Sequence, residues 1–387
     1  MSTARWLRRS VYSILFLFGV QYGLALYFNS AFLASRGFSE QSIGIIFAAG
    51  SVFALVMLFF APRLFTSLGN LRVFVIGTAA AGVLLVALAG SNSSAVIAVV
   101  LPAIIGLPFL LSLSIDMFLE TTTSDENRTG VRRGIVVALI NGAFMVAQLI
   151  AIYLLASGSF PLLYMMSGIA LVLISALAAV LLHGFRDAKY ERPDWHQVFR
   201  RLRDSADMRL TFFVQFLLRL FYATMIVYTP LYLHGTLGMS YEAMGAMFAF
   251  MLIPFVLLEV PLGWLEDTRW GESEALAVGL VWTVLVTALL SFVTTPSIAL
   301  WAAALFATRI GAAMIEISSD AYFFKNVDGT QSGEVSAFRI LHPLAYIIGP
   351  LAGAVFLLIF PMQYIFLALA ICLALGIPAA IRLRDTR

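Results

Sequence analysis

The sequence predicts an all-α polytopic membrane protein whose twelve transmembrane helices form two six-helix bundles. Three observations predict it: an apolar composition, apolar runs of membrane-crossing length, and a second half that repeats the first. Of the 387 residues, 61% are hydrophobic and 12% charged, whereas soluble domains hold roughly 45–50% apolar and about 25% charged residues. A water-soluble core has no room for that much apolar surface. The charge-poor runs each approach the roughly 20 residues that cross a hydrocarbon layer about 30 Å thick, so lipid is the solvent for most of the chain.

In chain order, the first run extends from about Val11 to Leu33 behind Arg5, Arg8 and Arg9. A secretory leader has the same charged start but a shorter apolar segment, so this run is span 1. Spans 2 to 6 follow at 42–61, 73–90, 95–115, 134–156 and 162–183, and spans 7 to 12 at 210–234, 243–263, 275–293, 298–318, 340–360 and 362–382. Residues 184–209, with seven cationic groups, form the longest polar segment and read as a linker between bundles at 1–183 and 210–387. An even number of spans puts both termini on one side. Of 24 Lys and Arg residues, 21 fall on that side, Arg36 lies on the other, and Arg219 and Arg309 sit within spans. The positive-inside rule then places both termini in the cytoplasm and the chain in a cytoplasmic (inner) membrane.

Several function classes drop out. The arginines are scattered through short segments and form no continuous surface for nucleic acid. Cys372 is the only cysteine, so no internal disulfide is possible. Histidines 183, 196, 234 and 342 lack metal-ligand spacing, and no glycine-rich phosphate loop follows a strand. Neither a metal, a cofactor nor an enzyme activity is expected, and a gradient-driven mechanism is favoured over an ATP-driven pump. The sequence carries no signal for an oligomeric state.

The repeat is the most informative feature. At an offset of 201, Gly37, Ser39, Gly44, Phe47 and Ala48 recur as Gly238, Ser240, Gly245, Phe248 and Ala249. Further on, Ile115-Asp116-Met117-Phe118 corresponds to Ser319-Asp320-Ala321-Tyr322, and Gly130 to Gly333. Two parallel six-helix units follow, a plan that in secondary transporters places the binding site between the halves near the midplane.

On these residues the chain resembles the major facilitator superfamily over nearly its whole length. Gly263-Trp264-Leu265-Glu266-Asp267-Thr268-Arg269-Trp270-Gly271 is similar to the family's loop motif of Gly, Leu, Asp and Gly as it appears between spans 8 and 9. Loop 2/3, from Ala61-Pro62-Arg63-Leu64 through Gly69 to Arg72, keeps a glycine and cationic ends but lacks the family's aspartate. Arg36-Gly37-Phe38-Ser39 is similar to the corresponding segment of proton-coupled sugar, nucleoside and aromatic-acid symporters. The resemblance implies that spans 1, 2, 4, 5, 7, 8, 10 and 11 line a cavity while 3, 6, 9 and 12 face lipid. Spans 3, 6 and 9 accordingly contain no Asp, Glu, Lys or Arg and span 12 only Arg382 at its terminal end, and the acidic and basic groups deep within spans lie on 7, 8 and 10.

A charge at the bilayer centre costs roughly 2.5–3.5 kcal/mol on insertion scales, so it faces water or a partner. Arg309 lies eleven residues into span 10, about 16 Å deep at 1.5 Å per residue. Arg219 sits nearly as deep in span 7, on the face that carries Gln215 and Tyr222. The guanidinium fork suits a carboxylate or phosphate, which makes both arginines candidate ligands for an anionic solute, with glutamate pairing as the alternative. Glu316 and Asp320 share the helical face of Arg309. Glu316, and Glu259 on span 8, are candidate proton sites, because a desolvated glutamate can load and release a proton. For Glu259, bonding to backbone groups freed near Pro254 and Pro261 is an equal alternative. In the first half, Gln21 and Tyr22 on span 1 and Asn141 on span 5 offer neutral groups to a solute. Gln148 and Asn29 are expected to be interhelical glue. Asp116 and Asp320, at equivalent ends of spans 4 and 10, are expected to act with Arg72, Asp267 and Arg269 as an inner gate.

The expected function is proton-coupled symport of a small anionic or polar metabolite by alternating access. Proton-driven efflux of amphipathic compounds is the rival within transport, given 13% aromatic residues. A non-transporting membrane sensor with 184–209 as its docking surface is the alternative of another class.

Overall fold

The computed structural model describes residues 3–121, 129–156, 159–185, 187, 195–268, 271–327 and 332–383, without the side chains of 3–5, 120–121, 129–135, 259–260, 263–268 and 332. Among the described residues the structure is helical throughout, and twelve helices are long and apolar enough to cross a membrane. They are span 1 (Trp6–Ser35), 2 (Glu40–Leu68), 3 (Asn70–Ala89), 4 (Ser94–Leu119), 5 (Val136–Leu155), 6 (Phe160–Leu181), 7 (Ala206–Thr236), 8 (Tyr241–Leu258), 9 (Glu272–Leu290), 10 (Ile298–Asn326), 11 (Gly333–Phe356) and 12 (Met362–Arg382). Each overlaps one of the twelve runs read from hydropathy.

Several spans are interrupted where the backbone requires it. Span 8 breaks at Leu252, just ahead of Pro254, which has no N–H to continue the ladder. Span 12 breaks after Ala374 and restarts at Ile377-Pro378. Span 7 ends, after Pro230, in a wider π-turn at Tyr232–Thr236. The polar segment after span 6 contains a ten-residue linker helix, Trp195–Asp204, joined to span 7 through Ser205, whose hydroxyl accepts from the Met208 amide.

The chain divides into two compact units. One comprises Met1–Phe38, Ile46–Glu191 and Tyr241–Ala249; the other comprises Ser39–Ile45, Arg192–Ser240 and Phe250–Arg387. The two exchanged segments, Ser39–Ile45 and Tyr241–Ala249, fall within the stretches that repeat in sequence. In the first unit span 1 packs on 5, and span 3 on 4 and 6; in the second, span 7 packs on 11, and span 9 on 10 and 12. The same three pairings therefore recur at equivalent positions. Close approach depends on glycine: a Cβ on Gly82 would lie 2.8 Å from the Gly168 carbonyl, and one on Gly168 2.7 Å from the Gly82 carbonyl. Buried amides pin the helices in register. Gln148 donates to the Gly23 carbonyl (2.8 Å), and Asn29 accepts from the Tyr164 hydroxyl (2.7 Å).

Candidate solute and proton site

Span 7 brings Gln215, Arg219 and Tyr222 to one helical face, and span 10 brings Arg309, Glu316 and Asp320 opposite them within the second unit. Arg219 Nη2 lies 3.1 Å from Glu316 Oε1, with about a fifth to a quarter of each side chain still exposed. Tyr222 donates its hydroxyl to the other carboxylate oxygen, Oε2, at 2.8 Å. Of the two roles open to Arg219, the geometry has the glutamate pair. Such a pair is charge-assisted and neutral in sum, which lets two ionised groups persist at this depth.

Arg309 is placed differently. It is only 2% exposed, and its guanidinium lies over the rings of Phe221 (5.2 Å) and Tyr222 (5.7 Å). Its Nη1 has no hydrogen-bond partner, and among the described residues no carboxylate pairs with it. Stacking on aromatic faces partly offsets lost hydration of the cation but leaves in-plane N–H groups unsatisfied. Tyr222 connects the two charged groups, its ring under Arg309 and its hydroxyl on Glu316. The seven-residue offset from Arg309 to Glu316 spans roughly 10 Å of helix, too far for a direct bond.

Below this pair, Ser319 donates to Gln215 Oε1 at 2.9 Å and Gln215 Nε2 donates to Asp320 Oδ1 at 3.4 Å. Gln215 is 1% exposed, so its amide ties span 7 to span 10. In the first unit Gln21 is likewise engaged, donating to Ser167 Oγ at 2.8 Å. Tyr22 stacks on Phe18 and meets the edge of Phe144, and Asn141 is half-buried on span 5. Asp116 is half-buried near the end of span 4, and Arg72 is exposed in the first turn of span 3. The side chains of Glu259 and Asp267, and the whole of Arg269, lie outside the described residues.

Sequence reasoning missed Phe221 and Ser319, although Phe221 neighbours Tyr222 and Ser319 neighbours Asp320. It also missed Asp187, whose Oδ1 accepts from the Asn70 backbone amide (2.9 Å) at the start of span 3, where loop 2/3 has no acidic residue of its own. No local signal in the linker marks that aspartate.

Residues 11–253 and 211–387 match the sequence profile of the Major Facilitator Superfamily. The chain belongs to the major facilitator superfamily. Solved structures of superfamily-like architecture align along almost the whole chain. The nucleoside transporter NupG, in a mutant form, is 14% identical with a TM-score of 0.75, the alignment covering 98% of this chain and 100% of NupG. In a second structure of NupG the identity is 15% and the TM-score 0.73, with the same coverage. A bacterial homologue of the human lysosomal transporter Spinster, inward-facing and unoccupied, is 12% identical with a TM-score of 0.71 over 98% of this chain and 94% of its own. At these identities the likeness is one of fold. No curated protein sequence matches the chain. This superfamily member is thus a multi-pass secondary transporter of twelve spans, and not an enzyme.

Proposed function

We propose that this transporter carries a small organic anion together with a proton. The observation that supports this most strongly is Arg309, a deeply buried cation with one guanidinium nitrogen unpartnered, one tyrosine away from an ion-paired glutamate. While Glu316 is ionised it holds Arg219. A proton arriving at Glu316 neutralises the carboxylate and releases Arg219, whose donors then join Arg309 on the anionic group of the solute. When the solute leaves, Arg219 returns to Glu316 and expels the proton. Anion and proton thus move together and the combined load is neutral, which lowers the cost of bringing it into a low-dielectric interior. Alternating access would expose this site to each side in turn, with both termini in the cytoplasm and the chain in an inner membrane.

Uptake into proteoliposomes under an imposed proton gradient tests the mechanism. The solute panel comprises monocarboxylates, nucleosides, sugars and amphipathic dyes; nucleosides are included because NupG carries them. Glu316→Gln is expected to abolish uphill uptake while solute exchange at equal pH continues. Gradient-driven accumulation by that variant at the parental level refutes the proton role, and uptake confined to uncharged solutes refutes the anion assignment.

A further inference from the structure

The linker helix Trp195–Asp204 carries an apolar stripe, Trp195, Val198, Phe199 and Leu202, at the i, i+3, i+4, i+7 spacing of one helical face. The protein covers only part of it. Val198 is 1% exposed, and Leu202 packs against the cluster of Phe212, Phe323, Val327 and Phe338. Phe199, on the same stripe, is 66% exposed. Beside it stand Arg200 and Arg203, whose side chains are 79% and 82% exposed and whose ion pairs are with Asp204 on the rim of the same helix.

The helix is not free to turn this flank elsewhere. Arg201 pairs with Glu334 at the start of span 11 (3.1 Å), and Arg209 of span 7 donates to the carbonyls of Leu202 and Arg203, which end the helix. Ser205 alone separates it from span 7, which begins at Ala206. A helix joined by one residue to a membrane span is tethered close to the membrane surface. There, an aromatic ring flanked by arginines meets its complement in both chemistries: acyl boundary for the ring, phosphate for the guanidinium.

We propose that the Phe199, Arg200 and Arg203 flank of the linker helix is a docking surface for anionic phospholipid headgroups of the leaflet that this end of the bundle meets. Phe199 anchors in the headgroup boundary, and the two arginines select anionic over zwitterionic lipid.

The full chain is tested in vesicles. Phe199→Cys in a Cys372→Ser background, labelled with an environment-sensitive fluorophore, is reconstituted in phosphatidylglycerol with phosphatidylethanolamine, or in phosphatidylcholine. In the anionic vesicles the emission should shift to the blue and be quenched by nitroxide-labelled phospholipid but not by iodide. In the same vesicles, quenching by iodide and not by lipid nitroxide overturns the proposal, because the flank then faces water or a protein partner. Native mass spectrometry of the purified chain supplies the second arm. Arg200→Gln and Arg203→Gln should each lower retention of phosphatidylglycerol about fivefold, from the surface attraction of one cation. The Lys variants, which keep the charge, should retain it. Unchanged retention in the double Gln variant also overturns the proposal. Both positions are exposed, so loss of the fold does not confound the result.

Discussion

Arg219 and Arg309 are the same residue type at similar depth, and the structure gives them opposite circumstances. One is neutralised by Glu316; the other lies on two aromatic rings with a donor unpartnered. An unsatisfied buried donor is a standing cost, and a ligand that supplies the acceptor recovers it. Replacing Arg309 by Gln should therefore weaken solute binding by about 1.5–3 kcal/mol, the range of hydrogen bonds to charged groups, or roughly 10- to 100-fold in apparent affinity. Lys at that position keeps a charge but not the planar fork, and should recover only part of the loss. Substrate-dependent thermal stabilisation of the purified variants measures this directly. Equal affinities for Arg309→Gln and the parent would remove Arg309 from the solute site. The identity of these residues was legible in the sequence because charge in an apolar run is conspicuous. Their division of labour was not, because Glu316, seven residues from Arg309 on its own helix, makes its bond to span 7 instead.

At the scale of elements, the tightest approach of spans 7 and 11 is at a glycine notch. A Cβ on Gly353 would clash with the ring edge of Tyr228, at Cε2 and Cζ, a residue that is fully buried and donates its hydroxyl to the Pro350 carbonyl at 2.6 Å. Gly353→Ala should cost about 1–3 kcal/mol through overpacking, read as a lower unfolding temperature in detergent. A Cβ on Gly142 of span 5 would meet nothing within 4 Å, and Gly142→Ala should be neutral or stabilising, since Ala is favoured over Gly in a helix by about 0.8–1 kcal/mol. Shrinking Tyr228 to Ser should relieve part of the Gly353→Ala defect. If both glycine variants melt alike, the notch is not what holds these spans together. The repeat drew attention to Gly44 and Gly245 in the same way. A Cβ on Gly44 would meet the Pro350 carbonyl at 2.5 Å, and one on Gly245 would meet Ile152 Cγ1 at 2.9 Å. Equivalent glycines thus serve equivalent close contacts, which is a physical reason for that stretch to recur in both halves.

At the scale of the whole molecule, charge counted over all the loops predicts the orientation. A fluorescent protein fused at the C-terminus should fluoresce, and alkaline phosphatase fused in the loop at Asn92 should be active; the reverse pattern would invert the topology drawn from the 21 cations on the terminal side. The number of spans, their order and the repeat were all readable from residues alone, because transfer into lipid is a local sum over about 20 side chains and needs no knowledge of neighbours. Pro254 and Pro378 stand at the breaks in spans 8 and 12, although prolines elsewhere, such as Pro102 and Pro343, sit inside unbroken helices. Only the tertiary structure decided which arginine is paired, that Gln215 and Gln21 are spent between helices, and that Asp187 reaches the start of span 3. Those bonds join residues about 100 or more apart in the chain, and their geometry is set by how closely helices approach and at what register, which side-chain packing fixes and one-dimensional spacing does not carry.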